Sequence, residues 1–185
     1  MKAIWYLAGL FLLMLAQGCY REAHLAQMTV SDSEIVRPGS SPPSPEKADL
    51  IIYSYIKKRS FLGKPGVEEK PYAFFISIDG RVFKETLKGV KETVSDTLEE
   101  RGEGVRYTLA IRLRLDPGVH EVSLRTEDGI SAEAEIELEG AKVHALRFEP
   151  VYRSFTRKFG FPRSFEYGIS GFVVYLNGRR VWEAH

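Results

Sequence analysis

The chain has 185 residues, with 26 Lys and Arg against 25 Asp and Glu, a formal net charge of +1, one Cys and four His. At 44% hydrophobic and 12% aromatic it carries enough apolar surface for a core, which excludes wholesale disorder and suits one domain plus appendages. The near-zero charge lacks the basic footprint of a general nucleic-acid binder, and a single Cys excludes an internal disulfide and a thiolate-rich metal site.

Lys2 precedes an uncharged apolar run, residues 3–16 (AIWYLAGLFLLMLA). That run is short for a bilayer span, which takes about 20 apolar residues, and matches the apolar centre of a secretory signal. Small residues then lead to Cys19. The stretch Leu15-Ala16-Gln17-Gly18-Cys19 resembles the lipobox of bacterial lipoproteins, with Ala16 where Leu is commoner. The resemblance implies a signal peptide over 1–18, cleavage before Cys19, and acylation of Cys19, palmitate included. A thiol is the side chain most readily alkylated, and each buried acyl CH₂ contributes about 0.8 kcal/mol, so several chains anchor firmly. The alternative is a plain signal peptide or an uncleaved anchor with Cys19 incidental. Tyr20, not Asp, follows Cys19; by resemblance to enterobacterial sorting this points to the outer membrane, with the domain facing the periplasm. Lys2 is the only charged residue before Cys19, so its removal leaves 25 basic against 25 acidic residues. Charge-driven function must then come from local patches.

Residues 19–48 read as a flexible tether. The stretch 37–47 (RPGSSPPSPEK) is rich in Pro and Ser, which favours extended, solvated backbone and a semi-rigid spacer.

From residue 49 to 185 the pattern turns to period two, the signature of half-buried strands. Strands are expected over 50–56, 72–78, 81–84, 105–115, 119–126, 130–138, 142–148, 172–176 and 179–183. The cleanest are 105–115, with Val105, Tyr107, Leu109, Ile111, Leu113 and Leu115 on one face, and 130–138, with Ile130, Ala132, Ala134, Ile136 and Leu138 on one face. Asp79-Gly80 and Asn177-Gly178 are type I′ hairpin signals, because both central residues need positive φ. Asp116-Pro117-Gly118 and Asp128-Gly129 mark further turns. Short strands at this spacing indicate an all-β fold, an antiparallel β-sandwich of Ig-like kind. Residues 88–104 interrupt it. Val90, Val94 and Leu98 stand four apart, which predicts a short helix ended by Gly102 and Gly104, or else an acidic loop.

The order of strand, Asp79-Gly80, then Leu115-Asp116-Pro117-Gly118-Val119-His120-Glu121-Val122-Ser123-Leu124, then an alternating strand and Gly140, resembles PEGA-type β-sandwich modules of bacterial envelope proteins. The likeness covers about residues 72–149. It lacks a Pro-Glu-Gly-Ala tetrapeptide and a Gly-x-Thr-Pro segment, and residues 84–104 look inserted. What it implies is a non-catalytic envelope module, with no active site to carry over.

No chemistry of catalysis stands out. His24, His120, His144 and His185 lack metal-ligand spacing, and no H-E-x-x-H, G-x-S-x-G or phosphate-loop motif occurs, so no cofactor or metal is expected. His120 reads as a sheet-end histidine satisfied by backbone. The uneven place is 152–167 (YRSFTRKFGFPRSFEY), where Tyr152, Phe155, Phe159, Phe161, Phe165 and Tyr167 alternate with Arg153, Arg157, Lys158 and Arg163. Aromatics interleaved with cations suit single-stranded nucleic acid, a partner the export signal argues against. Three readings stay open: a loop whose Phe rings plug the sandwich while Arg stems lie over them, a partner surface, and a glycan or lipid-headgroup contact. The candidate patch is Arg153, Phe155, Arg157, Lys158, Phe159, Phe161 and Arg163. The expected function is therefore a lipid-anchored, non-enzymatic envelope module with a structural or protein-interaction role. The alternatives are a glycan or lipid-headgroup binder and, less favoured, a hydrolase of envelope polymers.

Overall fold

A computed structural model describes residues 35–36, 40–60, 69–155 and 162–183. Two sheets face each other across one core. The larger has six strands in the order β10-β9-β8-β1-β5-β4 and the smaller has four in the order β3-β2-β6-β7. The strands are β1 (Ala48–Lys58), β2 (Tyr72–Ile78), β3 (Arg81–Leu87), β4 (Val90–Glu92), β5 (Gly104–Leu115), β6 (Gly118–Thr126), β7 (Ser131–Leu138), β8 (Val143–Tyr152), β9 (Ile169–Leu176) and β10 (Arg179–Glu183). The all-β sandwich expected from the alternation is thus the fold.

The period of two decides what enters the core. In β1, Ala48, Leu50, Ile52 and Ile56 are buried against the other sheet, while Ile51, Tyr53 and Tyr55 look outward. In β7, Ala132, Ala134, Ile136 and Leu138 are buried and the intervening glutamates are exposed. Burying side chains of this size stabilises by about 1.5–3 kcal/mol each for the larger ones. Both I′ signals hold: Asp79 and Gly80 have φ of 50° and 77°, Asn177 and Gly178 of 49° and 80°.

One pairing departs from the antiparallel expectation. β1 runs parallel to β8 while its other neighbour, β5, is antiparallel. Parallel neighbours need a long crossover. Here the chain makes it by passing through the smaller sheet, whose β6 and β7 intervene between β5 and β8. Residues 72–149 supply the whole of the smaller sheet, but in the larger sheet β5 and β8 meet only through β1.

The predicted helix at 88–104 is not formed. The segment makes the three-residue strand β4 and a 3₁₀ turn, Leu98–Glu100. Val90, Val94 and Leu98 are 68%, 78% and 77% exposed, so the apolar stripe has nothing to pack on. Its acidic residues are what dock, as described below.

The last residues of the expected tether lie against the sandwich. Val36 N–H donates to the Arg112 carbonyl at 2.8 Å, the Ser41 carbonyl accepts from Arg114 Nη2 at 2.6 Å, and Pro43 is buried. Ala141 N–H donates to the Ser44 and Lys47 carbonyls at 3.2 and 2.8 Å. A Cβ on Gly140 would come 2.1 Å from the Pro45 carbonyl oxygen, so this close approach requires glycine. Cys19 and most of the tether lie outside the described residues.

Candidate functional site

The sandwich is polar in the sense that its ends differ. The chain enters at the end where β1 begins, beside the Asp79-Gly80, Asp116-Pro117 and Asn177-Gly178 turns. His120 ties two of these turns together: Nδ1 lies 2.8 Å from the Asp79 carboxylate and Nε2 lies 2.9 Å from the Asp116 carbonyl. The partners are thus a backbone carbonyl, as expected, and a carboxylate in addition.

At the opposite end, where β1 finishes, the chain places the 93–103 insertion, the β6–β7 turn, and residues 153–155 and 162–168. Residues 152–167 divide between core and surface. Tyr152 and Phe165 are buried, and Phe165 sits in a second 3₁₀ turn, Phe165–Tyr167, capped by Ser164 Oγ accepting from Glu166 N. These two rings plug the end of the sandwich. Phe155 is 68% exposed and pairs with Tyr167, ring centroids 5.5 Å apart. Ser154 bridges to Arg163, and Arg153 N–H donates to the Gly168 carbonyl at 2.9 Å, so the described residues before 156 and after 161 are fastened together. Both Arg153 and Arg163 are exposed. The expected patch residues Arg157, Lys158, Phe159 and Phe161 lie outside the described residues.

Beneath this surface is a buried polar cage that the sequence did not announce. Lys57 is fully buried, and its Nζ donates to the carbonyls of Glu100 (2.8 Å) and Gly102 (2.7 Å). The same ammonium is 3.2 Å from the Glu92 carboxylate and 4.9 Å from the centroid of the Phe165 ring. Arg106, paired with Lys57 across β1 and β5, donates through Nε to Glu92 at 2.9 and 3.0 Å and through Nη2 to Glu100. Its guanidinium stacks 4.8 Å from the centre of the Tyr55 ring. Tyr152 Oη donates to Glu100 Oε1 at 2.6 Å and accepts from Lys57 N at 3.0 Å. Two cations meet two carboxylates, so the cage is neutral, and each buried charge has a partner.

The titration of the cage follows from this. Burial raises the Glu92 carboxyl, but hydrogen bonds and charge from Arg106 and Lys57 outweigh it and hold it below the ordinary carboxylate value. Burial first, then the negative charge of Glu100, pushes Tyr55 up to about 12. Burial and the bond to Glu100 raise Tyr152 as well.

Such a cage fastens the insertion to the sheet. Among the described residues no three His, Cys, Asp or Glu side chains converge as metal ligands. What the end can do chemically is present a surface: the Phe155–Tyr167 ring pair, Arg153 and Arg163, and the exposed Val94 and Leu98 of the insertion. The spacing of Val94 and Leu98 predicts a helix face; their exposure follows only from the fold. Comparison with protein-family models, with curated proteins and with solved structures gives no match.

Proposed function

We propose that the protein is a lipid-anchored, non-enzymatic module of the bacterial cell envelope that meets a protein partner through the end of its sandwich remote from the tether. The single observation that carries this reading is the separation of entry point and aromatic-basic surface by the length of β1. Eleven residues at about 3.3 Å each put roughly 35 Å between them. From Cys19 to Ile35 the chain reaches at most about 58 Å when extended. A lipid on Cys19 would hold the tether end within that reach of the bilayer, and the Phe155 end stands roughly 35 Å farther along the sandwich. The lipobox resemblance, the Pro/Ser tether and the lack of nucleophile motifs in the sequence support the rest of the reading.

A second reading, that Arg153, Phe155 and Arg163 contact glycan or lipid headgroups, draws on the same exposed cations beside an aromatic pair. Two experiments separate the possibilities. Radiolabelled palmitate should enter the wild type and not Cys19→Ala; equal labelling rejects the anchor. A photo-crosslinker at Phe155 should capture one discrete protein in living cells, and one at Val119, exposed at the tether end, should not. Capture from both positions, or of glycan alone from Phe155, rejects the protein-partner reading.

A further inference from the structure

The outer face of the smaller sheet carries a groove that the function above does not use. It is open to solvent, has a volume of about 720 Å³ and runs along β2, β3, β6 and β7, with Phe75, Ser77 and Ser123 in its lining. That volume falls within the usual range for small-ligand sites.

The strand register arranges its lining, with Lys84 and Glu135 beside it, in rows of different charge. In the first row Lys84 pairs with Phe75 and Phe75 with Arg125. Both cations lean on the ring, Lys84 Nζ at 5.8 Å and Arg125 Cζ at 4.6 Å from its centroid. The positive rim of an aromatic ring adds to the attraction these two exert on an anion. The middle row is Ser77, Ser123 and Glu133, each in register with the next. In the third row Glu121 stands directly opposite Glu135 on β7. Asp79 lies beside this row, but its carboxylate is already engaged by His120 and by Glu121 N–H.

Two details point to a ligand. Arg125 turns to Phe75, and the carboxylates of Glu121, Glu133 and Glu135 make no hydrogen bond or ion pair among the described residues. Like charges placed directly opposite across a strand pair destabilise the sheet, so Glu121 and Glu135 favour a cation between them. The hydroxyls of Ser77 and Ser123 likewise make no hydrogen bond among the described residues. The groove is thus cationic at one end, anionic at the other and hydrogen-bonding between. From Arg125 to Glu121 is four residues of β6, about 13 Å.

We propose that this groove binds a short extended peptide with both termini free. Its carboxylate sits between Lys84 and Arg125, its ammonium among Glu121, Glu133 and Glu135, and its backbone crosses Ser77 and Ser123. Four extended residues span the same distance of about 13 Å. The site lies on a different face from the proposed interaction end, and either can fail without the other.

The test is calorimetric titration of the full chain in detergent with tetra-alanine, to about 10 mM, ten times a Kd of about 1 mM. Tetra-alanine should bind, and its N-acetylated, C-amidated form should not. Di-alanine, too short to reach both rows, should bind at least about fivefold more weakly. Glu133→Gln and Arg125→Gln are exposed substitutions that leave the core untouched, and each should weaken binding about fivefold. Unchanged circular dichroism confirms that these variants fold. No heat from tetra-alanine, equal binding of the blocked peptide, or unchanged affinity in both variants overturns the assignment. Binding of a neutral tetrasaccharide in place of the peptide overturns it too.

Discussion

The first long strand of the sandwich buries one charge near each end, and the two are held by different means. Near its start, Asp49 is fully buried beneath Arg112 and Arg114 of β5, with oxygen–nitrogen distances of 2.6 and 2.8 Å. Near its finish, Lys57 is fully buried in the cage of Glu92, Glu100, Gly102 and Phe165. Asp49 is satisfied by its neighbours in the ladder, because Asp49 pairs with Arg114 and Ile51 with Arg112, all on the outer face. Lys57 is satisfied largely by backbone carbonyls of a segment 43 to 45 residues away. One charge thus stiffens a sheet, and the other fastens a loop to it.

The largest effect should come from removing the loop's fastener. Lys57→Met leaves the Glu100 and Gly102 carbonyls without their donor and takes one of two cations from Glu92, and should cost about 3–5 kcal/mol in urea denaturation, as loss of one partner of a buried ionic network does. Limited proteolysis should then cut within 93–103, where the wild type resists. A variant of wild-type stability and resistance would show that the insertion does not depend on the cage.

Asp49→Asn should cost less, about 1–2 kcal/mol, because both arginines retain access to water. The hydrogen bond from Arg114, ahead of that from Arg112, holds the Asp49 carboxyl below its ordinary 3.8. A carboxyl lowered on folding contributes stability that is complete above its unfolded value and is lost as pH falls through the folded one. Stability should therefore drop below about pH 4, and the Asn variant should lose less on the same descent. Equal pH profiles would remove Asp49 from the account.

Tyr152→Phe removes the hydroxyl that links Glu100 to the Lys57 amide, and should cost about 1–2 kcal/mol. The tyrosines of this end also titrate in the opposite sense. Tyr55 and Tyr152 are raised in the fold, so the stability they contribute is complete below pH 10, their ordinary value, and is lost as pH rises beyond it. The cage end should thus be the first to open in alkali, seen as hydrogen exchange at 93–103 before β7. The smallest effect is expected from Val94→Ser and Leu98→Ser, within about 0.5 kcal/mol, since neither side chain packs. A cost above about 1 kcal/mol would mean that the insertion buries them.

Much of this was readable in advance, for a physical reason. Alternation is a local signal, so strands such as 105–115 and 72–78 and the two I′ turns follow from neighbours in sequence. The parallel placement of β1 beside β8 does not, because nothing in either strand records the route between them. Residues 88–104 misled for a related reason. Spacing showed that Val90, Val94 and Leu98 would share a helix face, but not that no apolar surface was there to receive it. In 152–167 the sequence marked the segment and could not divide it. Tyr152 and Phe165 turned inward, Phe155 outward, and composition treats them alike.

The sequence by itself determined an all-β sandwich, its strand faces and its principal turns, since period-two burial and positive φ are properties of a few adjacent residues. Tertiary structure alone decided that a lysine would be buried, that the insertion would dock by its acids, and that unpartnered glutamates and a cation-flanked Phe75 would share a groove. Those outcomes depend on charges brought together from distant strands, where the loss of hydration is offset only by partners that the fold supplies.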